Sequence, residues 1–174
     1  MFAKKITNFF TGLYLINKYG SKAIAEGLID PLTQVFSRVL FDKIAKKEIA
    51  RAERYNNPLS LAFIDIDNLK KINDKKGHLA GDKVILETAK ILKKTSRESD
   101  IIFRYGGDEF IILLPETNEI GAKEFEERLG NELKQATFCQ FSFGISTWKK
   151  GIKLRNLINE ADKNMLEKKK ENKN

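Results

Sequence analysis

The apolar positions of the chain fall into two rhythms, one near 3.6 residues and one near 2, and their alternation predicts the element order. Phe2, Ile6, Phe9, Phe10 and Leu13 recur at helical spacing with Lys4, Lys5 and Lys18 off the stripe, so residues 1–29 read as an amphipathic helical segment. Gly20, Gly27 and the Asp30-Pro31 step interrupt it, because glycine lowers helix stability and the residue before proline is pushed out of helical dihedrals. A single domain is therefore expected over residues 30–174. Phe41, Ile44, Ala45, Ile49 and Ala52 predict a helix with Ser37 as N-cap, stopped by Asn56-Asn57-Pro58. Residues 59–65 are a short apolar run that suits a buried strand ending in a carboxylate. Residues between Asp67 and Gly77 read as one helix, and Ile85, Ala89 and Leu92 mark another. Residues 101–103 and 110–114 predict two strands paired as a hairpin across Gly106-Gly107. Ala122, Phe125, Leu129 and Leu133 mark a helix, and Cys139, Phe141, Phe143 and Ile145 alternate as a half-buried strand. Leu154, Leu157, Ile158, Ala161 and Met165 mark a last helix, with a lysine-rich tail from Lys168 expected to fray. This order predicts an α/β (α+β) fold with a mixed, mostly antiparallel central sheet flanked by helices.

A chain of 174 residues can bury a core without disulfide or metal staples. Its 32 Lys+Arg against 24 Asp+Glu give a net charge of +8, which favours an anionic partner without choosing among nucleotide, nucleic acid and membrane surface. No element combines clustered basic and aromatic residues, so a nucleic-acid partner is not expected. The lone Cys139 excludes an intramolecular disulfide and suits a cytoplasmic protein, and no apolar run is long enough to span a bilayer.

Two acidic clusters fall where strands are predicted to end, Asp65-Ile66-Asp67 and Asp108-Glu109. Carboxylates gathered at a strand edge repel one another, and a bound hard cation would account for them. The plainer alternative is a pair of solvated turns, with Asp67 capping the next helix. The pair Gly106-Gly107 beside the second cluster would let backbone approach a ligand closely, which favours a phosphate-plus-metal site. Neither a P-loop nor a dinucleotide fingerprint is present, so such a site must be built otherwise. His78, the single histidine, is expected in a loop between helices with a structural role.

The heptad Arg104-Tyr105-Gly106-Gly107-Asp108-Glu109-Phe110 resembles the signature of the GGDEF-domain diguanylate cyclases, which condense two GTP into cyclic di-GMP. The resemblance extends to Asp30-Pro31-Leu32-Thr33, to Asp65-Ile66-Asp67-Asn68-Leu69-Lys70-Lys71-Ile72-Asn73-Asp74, to Gly77-His78 and Gly81-Asp82, to Ser142-Phe143-Gly144-Ile145 and to Ala161-Asp162, all in the family's order. It implies a fold similar to the polymerase palm and the nucleotidyl cyclase core.

On that resemblance Asp65, Asp108 and the Ile66 carbonyl would hold Mg²⁺, or Mn²⁺ in its place. Glu109 would either assist a second metal or help deprotonate the attacking hydroxyl. Asn73 and Asp82 would read guanine, a carboxylate accepting from N1–H and N2–H₂ that adenine lacks. Gly106 and Gly107 would line the nucleotide. The amides of Asn68 and Leu69, with Lys70, Lys169 and Lys173, would hold the phosphates. The last segment departs from the family pattern, with Leu166, Asn172 and Lys173 replacing a tyrosine, a glycine and an arginine. Arg97-Glu98-Ser99-Asp100, with Arg128, matches the inhibitory site at which the family binds its product.

The expected activity is metal-dependent synthesis of cyclic di-GMP with release of two pyrophosphates and feedback by product. Each chain offers one GTP site, so two chains must face each other as a homodimer. The first 30 residues hold no room for a sensor domain, so the input would come from elsewhere, for instance a separate regulatory protein. The competing reading is a non-catalytic receptor for GTP or cyclic di-GMP.

Overall fold

Nine residues without a glycine, proline or asparagine, Leu59–Asp67, form the central strand β2, two residues longer than the apolar run suggests. The computed structural model describes residues 27–136 and 138–171, so the expected N-terminal amphipathic helix and Lys173 lie outside the described residues. The elements run β1 (Phe36–Ser37), α1 (Arg38–Tyr55), β2, α2 (Leu69–Lys76), α3 (His78–Thr95), β3 (Ile101–Arg104), β4 (Glu109–Pro115), α4 (Glu119–Gln135), β5 (Gln140–Thr147) and α5 (Leu154–Glu171). They build one five-stranded sheet in the order β1-β3-β4-β2-β5. β1 pairs parallel with β3, and the other pairings are antiparallel, which is the expected mixed sheet.

Because side chains alternate across a strand, β2 and β4 feed two cores. Ala62, Ile64, Ile66, Phe110, Ile112 and Leu114 pack with Val84, Ile85, Ala89 and Leu92 of α3 and Phe125, Leu129 and Leu133 of α4. Leu59, Leu61, Phe63, Ile111 and Leu113 pack on the other face with Phe41 and Ala45 of α1 and Leu157, Ala161 and Met165 of α5. The result is a three-layer sandwich. Asp65, Asp67 and Glu109 share the parity of the second set, which sends them to the α1/α5 face at one end of the sheet.

Several local expectations need correction. α5 remains helical to Glu171 instead of fraying at Lys168, because Lys168 pairs with Glu126 and Lys169 with Asp65 and Asp67. His78 is the first residue of α3, with Gly77 (φ 82°) the single residue joining α2 to α3. Ser37 stands at the N-cap position of α1, but its hydroxyl donates to the Gly27 carbonyl, and its amide to the Leu28 carbonyl at 3.0 Å. On β5 the fully buried side carries Ser142, Gly144 and Ser146, while Phe141, Phe143 and Ile145 are half-buried against the first core. The cause is the closeness of α5: a Cβ on Gly144 would stand 2.3 Å from the Ala161 carbonyl oxygen and 2.3 Å from the Met165 nitrogen. Among the described residues no helix is long and apolar enough to cross a membrane.

Candidate active site

Strand register brings the two acidic clusters together. Asp65 lies opposite Glu109 on β4 and opposite Ser142 on β5. The Ile66 amide donates to the Asp108 carbonyl at 2.9 Å, which extends the ladder into the turn and fixes Asp108 beside β2. Asp65, Ile66, Asp108 and Glu109, separated by more than forty positions in sequence, therefore share one end of the sheet.

The turn is not held by glycine dihedrals, since neither Gly106 nor Gly107 takes a left-handed φ. The amides of Tyr105 and Gly106 both donate to the Glu109 carbonyl, at 2.8 and 3.2 Å. A Cβ on Gly106 would stand 2.3 Å from Glu109 Oε2, so a side chain there would push the Glu109 carboxylate aside. Arg104 Nη2 donates to the Gly107 carbonyl at 2.9 Å, while its Nη1 lies 3.0 and 3.2 Å from the two oxygens of Asp30. Asp30 Oδ1 also accepts from the Thr33 amide at 2.8 Å and the Thr33 hydroxyl at 2.6 Å. This fork from the incoming chain to the turn was invisible in the sequence, where Asp30 and Arg104 stood only as motif letters.

The acids lie in a strained electrostatic setting. Burial, in the first place, raises the Asp65 carboxyl above its ordinary value; the hydrogen bond and charge of Lys169 oppose this, and Asp108 and Asp67 add to it. Glu109 is raised too, by burial and then by Asp108, Asp65 and Asp162, with Arg38 pulling the other way. Lys169 Nζ sits 2.6 Å from Asp65 Oδ1 and 2.6 Å from Asp67 Oδ1, so the residue expected on a triphosphate is here a counter-ion to the acids. Asp67 caps no helix. It ends β2, and its oxygens accept from Ser142 Oγ at 2.9 and 3.1 Å.

Among the described residues no three His, Cys, Asp or Glu side chains close on one point as a protein-only metal cage. The donor set nevertheless suits a hard divalent cation: carboxylate oxygens that repel one another, a backbone carbonyl, and an ammonium already drawn in as a stand-in cation. Mg²⁺ in particular is commonly held by one or two carboxylates, with substrate phosphates and water completing its shell.

The residues expected to read guanine lie on neighbouring helices. Asn73 is on α2 and Asp82, exposed, on α3. Asn73 Oδ1 is buried without a hydrogen-bond partner, and it packs so closely on α3 that a Cβ at Gly81 would fall 1.9 Å from it. A buried acceptor left unsatisfied is costly and calls for a donor from elsewhere. Asn68 adopts φ 58° at the start of α2, Leu69 is buried and Lys70 is exposed.

Arg97, Asp100 and Arg128 meet at the turn between α3 and β3. Asp100 Oδ2 accepts from the Arg97 amide at 2.7 Å, and the Asp100 amide donates to the Arg97 carbonyl at 3.0 Å. Arg128 Nε donates to the Thr95 carbonyl at 3.1 Å from α4. Asp100 Oδ1 is buried and lacks a partner, and burial raises the Asp100 carboxyl despite the opposing pull of Arg97 and Arg128.

The family described as "Diguanylate cyclase, GGDEF domain" matches residues 27–174 of the chain. The diguanylate cyclase DgcP of Pseudomonas aeruginosa is 44% identical over 118 residues, 68% of this chain and 17% of DgcP. The diguanylate cyclase DgcS of Shewanella oneidensis is 31% identical over 146 residues, 82% of this chain and 49% of DgcS. The chain thus spans less than half the length of these curated relatives. The GGDEF domain of DgcB from Caulobacter crescentus, solved in complex with c-di-GMP, superposes with a TM-score of 0.76 at 27% identity, covering 83% of this chain and 89% of that one. The diguanylate cyclase SiaD from Pseudomonas aeruginosa, solved with its activator SiaC, superposes with a TM-score of 0.77 at 28% identity, covering 97% and 68%.

Proposed function

The chain belongs to the GGDEF-domain diguanylate cyclase family, and from that membership we propose that it condenses two GTP into cyclic di-GMP, releasing two pyrophosphates. The observation that carries this reading is the pairing of Asp65 with Glu109 across β2 and β4, with Asp108 bonded through its carbonyl to Ile66. That geometry supports Asp65, the Ile66 carbonyl and Asp108 as holders of Mg²⁺, with Mn²⁺ the alternative. When bound, the ion would neutralise charge on the α-phosphate and lower the barrier to attack by a 3′-hydroxyl.

The remaining work falls to the chain itself. Asn73 Oδ1 offers a buried acceptor to guanine and Asp82 a carboxylate to its N1–H and N2–H₂, a donor pair absent from adenine. The amides of Asn68 and Leu69 and the Lys70 ammonium hold phosphate oxygens at the start of α2. Gly106 and Gly107 admit the nucleotide to the backbone of the turn. Glu109, raised by burial and like charges, is the group suited to take the proton of the attacking hydroxyl. Lys169 supplies positive charge at the pyrophosphate side, and Lys173 is assigned the same work.

One site holds one GTP, so a homodimer with facing sites is the working form. The product returns to the turn formed by Arg97 and Asp100, where the partnerless Asp100 Oδ1 and the nearby Arg128 guanidinium offer an acceptor and donors to guanine and phosphate. A SiaC-like regulatory protein is the kind of partner such a domain would take its signal from. The receptor reading is favoured by one observation, that Lys169 is engaged by Asp65 and Asp67. Incubation with GTP and Mg²⁺ followed by chromatography separates the two: cyclic di-GMP formed in proportion to time supports the cyclase, and tight nucleotide binding without product supports the receptor.

A further inference from the structure

Asp67 has so far been given no part in metal, guanine or proton chemistry, and it is the less exposed side chain of its ion pair, at 11% against 27% for Lys169. The Ser142 hydroxyl lies within hydrogen-bond distance of both of its oxygens and shares its one proton between them, and Oδ1 also meets Lys169. Asp65 and Asp67 leave β2 on the same face two positions apart, and a single ammonium bridges them. Its reach is fixed by the backbone, because α5 rests directly on Gly144 and Lys169 follows Met165 by about one helical turn.

A divalent cation held by Asp65 would compete with the Lys169 ammonium, now on Oδ1, for the charge of that carboxylate. A doubly charged ion would bind that carboxylate more strongly than one ammonium does, and the ammonium would not need to go into water, since Asp67 also holds it. An ammonium has three N–H donors. Leaving Asp65 while staying on Asp67 releases one of them, next to the position where the phosphates would lie.

We propose that Asp67 is a positioning residue that anchors Lys169 as an internal counter-ion, so that metal uptake on Asp65 and release of a Lys169 donor toward phosphate are one exchange. The inference rests on the reading of Asp65 as a metal ligand, and concerns which residue makes room for the metal and where the displaced charge is kept.

The test is Mn²⁺ binding to the full chain, measured calorimetrically without nucleotide, for wild type, Lys169→Gln, Asp67→Asn and the double variant. Lys169→Gln, which removes the competitor, is expected to tighten Mn²⁺ binding about tenfold. Asp67→Asn is expected to weaken it, and by at least about threefold more in the wild-type background than in the Lys169→Gln background, the surplus being the part that acts through the lysine. Lys169→Met, which keeps the aliphatic stem, should repeat the tightening if the glutamine disturbs α5. Unchanged or weaker binding by both Lys169 variants overturns the exchange, and an equal effect of Asp67→Asn in both backgrounds makes Asp67 a ligand or a distant charge. Asp65→Ala separates the two levels: persistence of Mn²⁺ binding defeats the metal assignment itself, whereas its loss together with indifferent Lys169 variants defeats only the exchange.

Discussion

Gly81→Ala should separate nucleotide binding from folding. A methyl group at this position would lie 1.9 Å from Asn73 Oδ1 and 2.9 Å from its Cγ, so the asparagine side chain has to leave its place. The fold should hardly notice. Alanine gains about 1 kcal/mol over glycine inside a helix, and the displaced Oδ1 is an acceptor without a protein partner, so moving it breaks no hydrogen bond. Net stability should therefore stay within about 1 kcal/mol of wild type, a shift of about 2–4 °C in Tm for a chain of this size. Guanine, by contrast, would lose the acceptor proposed for it. One such bond is worth about 1–2 kcal/mol, so GTP affinity should fall about 5- to 30-fold. Titration calorimetry with GTP beside a thermal unfolding scan reads both quantities. Asn73→Ala should weaken GTP similarly, and the double variant should lose little more, because the two changes remove the same contact. A folded Gly81→Ala variant with wild-type GTP affinity would refute the assignment of Asn73 to guanine.

Asp65→Ala and Asp108→Ala should each abolish product formation in the chromatographic assay with circular dichroism unchanged, and Glu109→Gln should slow it by at least about a hundredfold. Arg97→Ala should lift inhibition by added cyclic di-GMP without lowering the initial rate, and Arg128→Ala should do so partly; equal inhibition of the Arg97 variant and wild type would discard that site. The Cys139 thiol is pushed from its ordinary 9.0 up to about 12, by burial first and the charge of Asp67 second, so iodoacetamide at pH 8 should react slowly until denaturant is added. An acid whose folded pKa is raised contributes stability that is whole below 9.0 and lost as pH rises to about 12, so Cys139→Ser should flatten the fall in stability over that window. Gly144→Ala should destabilise by about 3 kcal/mol in urea, since the new methyl meets helix backbone and not a flexible side chain.

The sequence made most of the sheet legible because β2 and β4 are long apolar runs bounded by turn residues, and the helices carry clear stripes. β1 could not be read: two residues have no period, and Phe36 and Ser37 become a strand only because β3 lies beside them. The β5 pattern pointed to its aromatic side, yet the fully buried side is the one with small residues, a preference imposed by α5 and not by hydrophobicity. Within the site, the acids were found because clustered carboxylates at strand ends are anomalous in themselves. The partners of those acids were not. The Lys169 contacts span 104 positions to Asp65, and the Arg104 contacts span 74 to Asp30, so no local rhythm connects either pair. The glycines of the turn were read as letting backbone approach a ligand closely, and the structure adds that the missing side chain at Gly106 leaves space for the Glu109 carboxylate.

The Asp30 carboxylate ties Thr33 and Arg104 to one point, and Arg104 passes the tie on to the Gly107 carbonyl. In mechanical terms, the segment that leads into the domain and the loop that presents Asp108 share a degree of freedom. A displacement of Asp30 would be felt at Gly107 through the Asp30 carboxylate and the Arg104 guanidinium. Two side chains thus join the segment that enters the domain to the loop between β3 and β4 along a route separate from the packing of either core.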